Sequence, residues 1–196
     1  MVSAPALELI RQAQAEALKA LERMPIEPLV QAATFLAQAL TKGQVIYLCG
    51  NGGSATQAMH LAGELVGRFL MERPGLPAVA LSADPAILTA VGNDYGFERV
   101  FARQVQALMR PGDVLWALTT SGRSPNILAA LAEAKAAGGR TLLMCGPETP
   151  EGLEVDLALA APAALTPRIQ EMHLFFGHTI CHLVERWLFD APGEMG

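Results

Sequence analysis

Four short, nearly continuous apolar runs recur along the chain and alternate with segments of helical character. The runs cover residues 45–49, 78–81, 114–118 and 141–145, and a weaker fifth candidate covers 155–160. Runs of this length without polar alternation are typical of strands that are buried on both faces. The alternation of strand and helix predicts an α/β fold, in which a parallel sheet with right-handed crossovers carries helices on both faces.

Helices are predicted at both ends of the chain. Residues 6–23 and 29–40 have apolar side chains at helical spacing, and a final apolar helix follows the fifth candidate strand. Gly138-Gly139 predicts the end of another helix. Three helix starts are marked by a capping residue that precedes a proline, at Asp84-Pro85, Ser124-Pro125 and Thr166-Pro167, the last of which opens the final helix.

Composition narrows the classes of function. With 196 residues, of which 52% are hydrophobic and 17% charged, the chain can bury one substantial core, and we interpret residues 1–196 as a single domain. A net charge of -5 argues against nucleic-acid binding, which needs a basic face. The three cysteines lack paired spacing, which favours a reducing, cytoplasmic compartment. We expect no membrane association and no processed leader, because the sequence has neither a signal-peptide pattern nor the ~20-residue apolar stretch of a membrane span.

Two glycine-rich loops with hydroxyl side chains each follow a predicted strand and open a predicted helix. They are Gly50-Asn51-Gly52-Gly53-Ser54 and Thr119-Thr120-Ser121-Gly122-Arg123-Ser124. Glycine lets backbone N–H groups converge on an anion, the hydroxyls add donors, and the helix start adds a positive dipole end. Neither loop matches a nucleotide phosphate loop or a dinucleotide site. One such loop could equally be a tight connection, but the two together predict one phosphorylated ligand at the carboxyl ends of parallel strands.

Titratable side chains follow the first loop and recur in the closing helix. His60 and Glu64 are four residues apart and therefore lie on one helix face, where they could share a proton path or a metal, or form an ordinary surface pair. In the closing helix, Gln170 and His178 can both border one cleft, whereas His173 and His182 fit the role of hydrogen-bonded core residues. His178 is therefore a candidate functional residue, but spacing alone does not select it over His173 and His182.

These features together resemble a known enzyme family. Five motifs occur in order over nearly the whole chain, and their residues are Gly50–Ser54 with Met59, His60 and Glu64, Val91–Asp94, Thr120–Ser124, Arg168–Glu171, and His178. This set is similar to the phosphoheptose isomerase branch of the sugar isomerase (SIS) family. The resemblance implies a flavodoxin-like five-stranded parallel sheet with N-terminal helices and a closing C-terminal helix. It also implies a homotetramer with sites at subunit interfaces, in which residues 1–42 pack on the sheet and in the oligomer.

The resemblance also implies an activity and a set of site residues. The activity is the conversion of sedoheptulose 7-phosphate to D-glycero-D-manno-heptose 7-phosphate through an enediol, with Glu64 as the base and His178 as the acid. The implied zinc ligands are His60, Glu64, Gln170 and His178. The implied substrate contacts are Asn51, Gly52, Gly53, Ser54, Glu64, Asn93, Asp94, Thr119, Thr120, Ser121, Ser124 and Gln170. A glutamate held in a closed four-ligand zinc site is a poor base, so either the metal keeps a position open or Glu64 exchanges between the two roles.

Three positions depart from the family pattern. Thr119 stands where serine is usual and keeps the hydroxyl, Arg123 replaces an asparagine, and Pro167 replaces an acidic residue. The Arg123 guanidinium could contact the phosphate or point to solvent. These departures bear on the exact substrate more than on the class of reaction.

Two other functions fit the same fold. One is a non-catalytic SIS protein that binds the bacterial replication initiator, and the other is a sugar-phosphate sensor without turnover. The presence of His60, Glu64 and His178 favours the isomerase, because the non-catalytic branch looks degraded at these positions.

Overall fold

The computed structural model describes residues 3–149 and 151–190 and contains a five-stranded, wholly parallel sheet. The strands are β1 (Ile46–Gly50), β2 (Ala78–Ala80), β3 (Val114–Leu118), β4 (Arg140–Cys145) and β5 (Leu157–Ala160). They lie in the order β2-β1-β3-β4-β5, the flavodoxin-like arrangement. The predicted fold class is confirmed.

Helices precede, separate and follow the strands. They are α1 (Ala4–Glu22), α2 (Ile26–Thr41), α3 (Gly53–Val66), α4 (Pro85–Tyr95), α5 (Ala102–Leu108), α6 (Pro125–Ala136) and α7 (Thr166–Glu185). A short 3₁₀ turn, Phe97–Arg99, follows α4, and a π turn, Arg186–Asp190, extends α7. Within the described ranges, no helix combines the length and the apolar character needed to cross a bilayer.

Two hydrophobic cores lie on opposite faces of the sheet, because successive strand residues point to opposite sides. Ile46 and Leu48 of β1 face a core formed with α2, α3 and α7. Tyr47 and Cys49 of the same strand face a second core, formed with α4, α5 and α6. The predicted helices on both faces are therefore present, and α3 and α7 share one face.

Burial on both faces was expected of the four continuous apolar runs, and this expectation is wrong for β2. Ala78 and Ala80 are half-buried, and Val79 is 41% exposed. The physical reason is position, since β2 is an edge strand and its neighbours on one side are missing. Its apolar sequence alone does not distinguish an edge strand from a central one.

The three predicted proline-linked helix starts differ in how they are capped. Asp84 caps α4 as expected, since its carboxylate accepts hydrogen bonds from the N–H groups of Ala86 and Ile87. Ser124 occupies the cap position of α6, but its hydroxyl lies 3.2 Å from that of Thr119. Thr166 is the first residue of α7 and Leu165 occupies the cap position, so the prediction of a Thr166 cap is wrong by one residue.

Candidate active site

The two glycine-rich loops lie side by side at the carboxyl edge of the sheet. Strands β1 and β3 are adjacent and parallel, and Gly50 pairs with Leu118, so both loops leave the sheet at the same level. Gly52 has a φ of +54°, in the left-handed region that favours glycine, and this conformation turns the chain from β1 into α3. The structure thus brings together the two loops that the sequence singled out.

A polar cavity of about 300 Å³ lies between the loops. Its lining residues are Asn51, Gly52, Gly53, Ser54, Leu118, Thr119, Thr120, Ser124, Thr166 and Gln170. Hydroxyls, an asparagine amide and the start of α3 meet here, which is the combination of donors that binds small anions. Most of the predicted substrate contacts therefore line one cavity.

The remaining predicted substrate contacts lie outside that lining. Ser121 lines a second cavity of about 510 Å³ together with Thr120, Arg123 and Glu148. Asn93 and Asp94 lie on α4, where the Asn93 amide donates a 2.7 Å hydrogen bond to the Asp94 carboxylate.

Sequence analysis missed Asn126, which connects the two loops. The side-chain amides of Asn51 and Asn126 exchange two hydrogen bonds, each 2.8 Å long. Asn126 is buried at the start of α6. An asparagine after a proline at a helix start is unremarkable in sequence, so the signal is visible only once β1 and β3 are known to be neighbours.

Helices α3 and α7 run side by side away from the loops. A Cβ atom at Gly177 would overlap the Leu61 side chain, so the absence of a side chain there lets the two helices approach closely. Nearer the loops, the Gln57 amide donates a 2.6 Å hydrogen bond to the carbonyl oxygen of Gln170. This packing determines which side chains of the two helices can meet.

Three of the predicted functional side chains meet across this helix pair. The Nε2 atoms of His60 and His178 are 2.8 Å apart, and His60 Nε2 lies 3.1 Å from Glu64 Oε1. One ligand atom from each residue lies within 4.8 Å of the other two. The Phe69 ring, which sequence analysis did not select, stacks on the His178 ring with centroids 5.4 Å apart.

The environment of His178 favours its neutral form. Burial lowers the pKa of the imidazole, the nearby His60 lowers it further, and the Glu64 carboxylate raises it, so the pKa lies below its ordinary value. A neutral imidazole can bind a metal ion through one ring nitrogen and still carries an N–H group on the other.

The donor set fits a zinc ion. Zinc binds imidazole nitrogen and carboxylate oxygen at roughly 2.0–2.2 Å, so that tetrahedral ligand atoms lie roughly 3.3–3.6 Å apart. The observed separations of 2.8 and 3.1 Å are close to this spacing. Gln170, the fourth predicted ligand, lies eight residues before His178 on α7, about 12 Å along the helix axis. Its role in metal binding stays a prediction.

The loop cavity lies at one level of helices α3 and α7, and the group formed by His60, Glu64 and His178 lies at another. His60 follows Gly53 by seven residues on α3, about 10 Å along the axis, and Gln170 and His178 show a similar offset on α7. A ligand that spans both places must be about 10 Å long.

Comparison with a family model identifies the domain type. Residues 11–145 match the model of the SIS domain. These residues include α3 with both loops, and the match ends at the last residue of β4.

Individual relatives agree with this match. The chain is 52% identical to the phosphoheptose isomerase of Maridesulfovibrio salexigens over 161 residues, which cover 82% of this chain and 78% of that one. It is 55% identical to that of Burkholderia pseudomallei over 152 residues, which cover 77% of each chain.

Solved structures show the same similarity in three dimensions. A phosphoheptose isomerase from Neisseria gonorrhoeae superimposes with a TM-score of 0.86 at 38% identity, with coverage of 92% of this chain and 98% of that one. The one from Francisella tularensis gives 0.84 at 34% identity, with coverage of 95% and 100%. The chain therefore belongs to the SIS domain family, in its phosphoheptose isomerase branch, and is a sugar-phosphate isomerase.

Proposed function

We propose that the protein converts sedoheptulose 7-phosphate to D-glycero-D-manno-heptose 7-phosphate through an enediol intermediate. The observation that carries the proposal is the convergence of His60, Glu64 and His178 at about two helical turns from a hydroxyl-lined cavity. An extended seven-carbon sugar spans roughly 9–10 Å from C1 to phosphorus, at about 1.1–1.2 Å per bond. With the phosphate in the loop cavity, its carbonyl end reaches the level of the acid and the base.

The loop residues bind the phosphate. The Thr119 and Ser124 hydroxyls lie 3.2 Å apart and can both donate to one anion, and the backbone N–H groups at the start of α3 add further donors. Asn51, Gly52, Gly53, Ser54, Thr120, Ser121 and Gln170 complete the proposed set, with Asn93 and Asp94 on the hydroxyl groups of the sugar.

Proton transfer is assigned to Glu64 and His178. Glu64 removes a proton from C1 of the ketose, and His178, which keeps one ring N–H in its neutral form, donates that proton to the carbonyl oxygen on C2, which gives the enediol. Loss of the proton from the oxygen on C1 and return of a proton to C2 then give the aldose, so atoms and charge balance. Because a carboxylate has two oxygens, one Glu64 oxygen can bind a metal while the other accepts the proton.

Zinc is the proposed cofactor. His60, Glu64 and His178 would hold it, and when bound it would polarise the substrate carbonyl. Gln170, the fourth ligand that the family resemblance implies, lies with its amide against Gly53 in the loop cavity, so in this subunit we assign it to the substrate. The half-exposed position of the three proposed ligands supports a site that a second subunit completes, as does the apolar surface of α1, where Leu9 and Ile10 are 68% and 65% exposed. Together with the family resemblance, these features lead us to propose a cytoplasmic homotetramer with sites at subunit interfaces.

The test is an assay of the purified protein with sedoheptulose 7-phosphate and zinc in D₂O. We expect the aldose product with solvent deuterium at C2, and a loss of kcat of about 10²–10⁴-fold in Glu64→Gln. The matched control is Glu72→Gln, at a glutamate whose side chain is 93% exposed in the loop that follows α3. Ligand binding with no deuterium incorporation would instead indicate a sensor, and absence of both product and ligand binding would favour the initiator-binding alternative.

A further inference from the structure

A buried ion pair joins the segment after α3 to the end of α7. Arg73 Nε lies 3.0 Å from Glu185 Oε1, and each side chain is 1% exposed. Three backbone N–H groups also donate to this carboxylate, those of Phe69 at 2.7 Å, Leu70 at 2.8 Å and Met71 at 3.1 Å. A buried carboxylate with this many donors defines the path of the loop that follows α3.

The two terminal nitrogens of the Arg73 guanidinium bind the last turn of α3. They donate to the carbonyl oxygens of Glu64 and Leu65 at 2.7 Å, and to that of Gly67 at 3.3 Å. Carbonyl groups at a helix end lack partners within the helix, and Arg73 supplies them. The backbone of Glu64 is therefore tied through Arg73 to Glu185 on α7.

Phe69 extends the same connection to His178. Its backbone N–H is held by Glu185, and its ring lies against the His178 ring at an interplanar angle of 29°. The same ring is tilted by 49° relative to that of His182, at a centroid distance of 6.1 Å. An aromatic face packed on an imidazole restricts the rotation of that imidazole.

We propose that Phe69 is a positioning residue for His178, fixed in place by Glu185, and that Arg73 fixes the helical turn that carries Glu64. The inference rests on the proposed function of His178 and Glu64. It adds that the orientation of the imidazole toward the metal and the substrate depends on a side chain that binds neither. Partners of metal-binding histidines typically change metal affinity or activity by about 10–100-fold when they are removed.

Phe69 is the position to test, because substitution of the buried charge pair would also destabilise the fold. Phe69→Leu keeps an apolar side chain and the backbone N–H but removes the ring, Phe69→Tyr restores the ring, and Phe97→Leu makes the same change at a ring that is 64% exposed after α4. We expect Phe69→Leu to weaken zinc binding about tenfold, measured by competition with a chromophoric chelator, and to lower kcat about tenfold with KM within about twofold. Phe69→Tyr and Phe97→Leu should retain wild-type values.

Imidazole signals in NMR spectra give a readout that is independent of turnover and metal. The sequence has four histidines, and the His178 signals are assigned by their loss in His178→Gln. Phe69→Leu should shift them, because the stacked ring is gone. Unchanged signals with unchanged zinc affinity and kcat would overturn the inference, as would equal impairment of Phe69→Leu and Phe69→Tyr. Absence of turnover in the wild type, with zinc binding still weakened by Phe69→Leu and restored by Phe69→Tyr, would refute the proposed function and leave the positioning role supported.

Discussion

The side-chain amide of Gln170 occupies the space that a side chain at Gly53 would need. A Cβ atom at Gly53 would lie 2.6 Å from Gln170 Nε2 and 2.9 Å from Oε1. Gly53 begins α3 and Gln170 lies in α7, so this contact joins the two helices at the level of the loop cavity. Because the amide is the flexible end of its side chain, a larger residue at position 53 would displace Gln170 without breaking the helix packing.

Gly53→Ala is therefore expected to impair ligand binding and leave the fold intact. With Gln170 displaced and the cavity narrowed, we expect KM for the sugar phosphate to rise about tenfold, equivalent to about 1.4 kcal/mol. Steady-state kinetics measure KM, and circular dichroism checks that the fold is intact.

Gly63→Ala is the matched control, in the same helix. A Cβ atom there would enter open space in the part of the chain that the structure describes. We expect wild-type KM and a gain of about 0.5–1 kcal/mol in the free energy of unfolding, since alanine is the better helix former. Equal KM values for the two variants would contradict the proposed role of Gln170.

Asn126→Ala tests the amide pair between the loops. The substitution leaves both polar groups of the Asn51 amide without their 2.8 Å partners. We expect a loss of about 1–3 kcal/mol in the free energy of unfolding and a rise in KM, because the first loop is no longer held to α6. Urea denaturation and kinetics check this, with Gln12→Ala as a control at an exposed amide on α1. A change in stability with unchanged KM would show that the pair has no part in ligand binding.

The local sequence was sufficient to predict the strands and the two glycine-rich loops. Leu115 and Leu143 lie in continuous apolar runs, and each loop combines glycine with hydroxyl residues directly after such a run. Both signals depend on neighbours in the sequence. The flavodoxin-like order of the strands was expected only from the family resemblance, because the rules for strand connections leave several α/β topologies open.

Sequence patterns did not predict the contacts between segments that are distant in the chain. Arg73 and Glu185 are 112 positions apart, and each would be interpreted as an exposed charge in its own segment. Their burial depends on how α3 and α7 pack, which in turn depends on Gly177 facing Leu61. Residue spacing likewise did not distinguish His178 from His173 and His182. The family resemblance selected it, and the structure places its ring next to that of His60.

Glu185→Gln is expected to destabilise the protein strongly. Removing one member of a buried ion pair leaves the other charge uncompensated and costs about 3–5 kcal/mol. The measurement is the free energy of unfolding in urea at neutral pH. Glu154→Gln breaks the exposed pair with Lys135, whose Nζ lies 2.7 Å from Glu154 Oε2, and its effect should lie within experimental error. Similar losses in the two variants would contradict the argument from burial.

The same carboxylate predicts sensitivity to acid. Burial raises the pKa of Glu185. The N–H groups of Leu70, Phe69 and Met71, together with Arg73, lower it by more than burial raises it, so the pKa lies below its ordinary value. A carboxyl group with a lowered pKa in the folded state stabilises the protein above its unfolded pKa, and this contribution is lost as the pH falls through the folded value. The stability lost on acidification should therefore be smaller in Glu185→Gln than in the wild type.

His173 predicts a second and separate loss of stability in acid. The side chain is fully buried, and its Nε2 lies 2.9 Å from the carbonyl oxygen of Cys145, so Nε2 carries the proton and donates. Burial lowers the pKa from 6.5 to about 4, despite the opposing effect of this hydrogen bond. Between those values the unfolded chain binds a proton that the folded chain does not, so stability falls as the pH drops from about 6.5 to about 4, by at most about 3 kcal/mol.

Substitution of His173 by glutamine isolates this effect, because glutamine keeps a neutral donor but does not titrate. We expect the free energy of unfolding of His173→Gln, measured in urea from pH 7 to pH 4.5 with a chelator present, to depend less on pH than that of the wild type. The difference between the two curves should grow as the pH falls. His182→Gln, at an exposed histidine of the same helix, retains His173 and should follow the wild-type curve. Parallel curves for His173→Gln and the wild type would show that His173 is protonated equally in the folded and unfolded states, contrary to its burial.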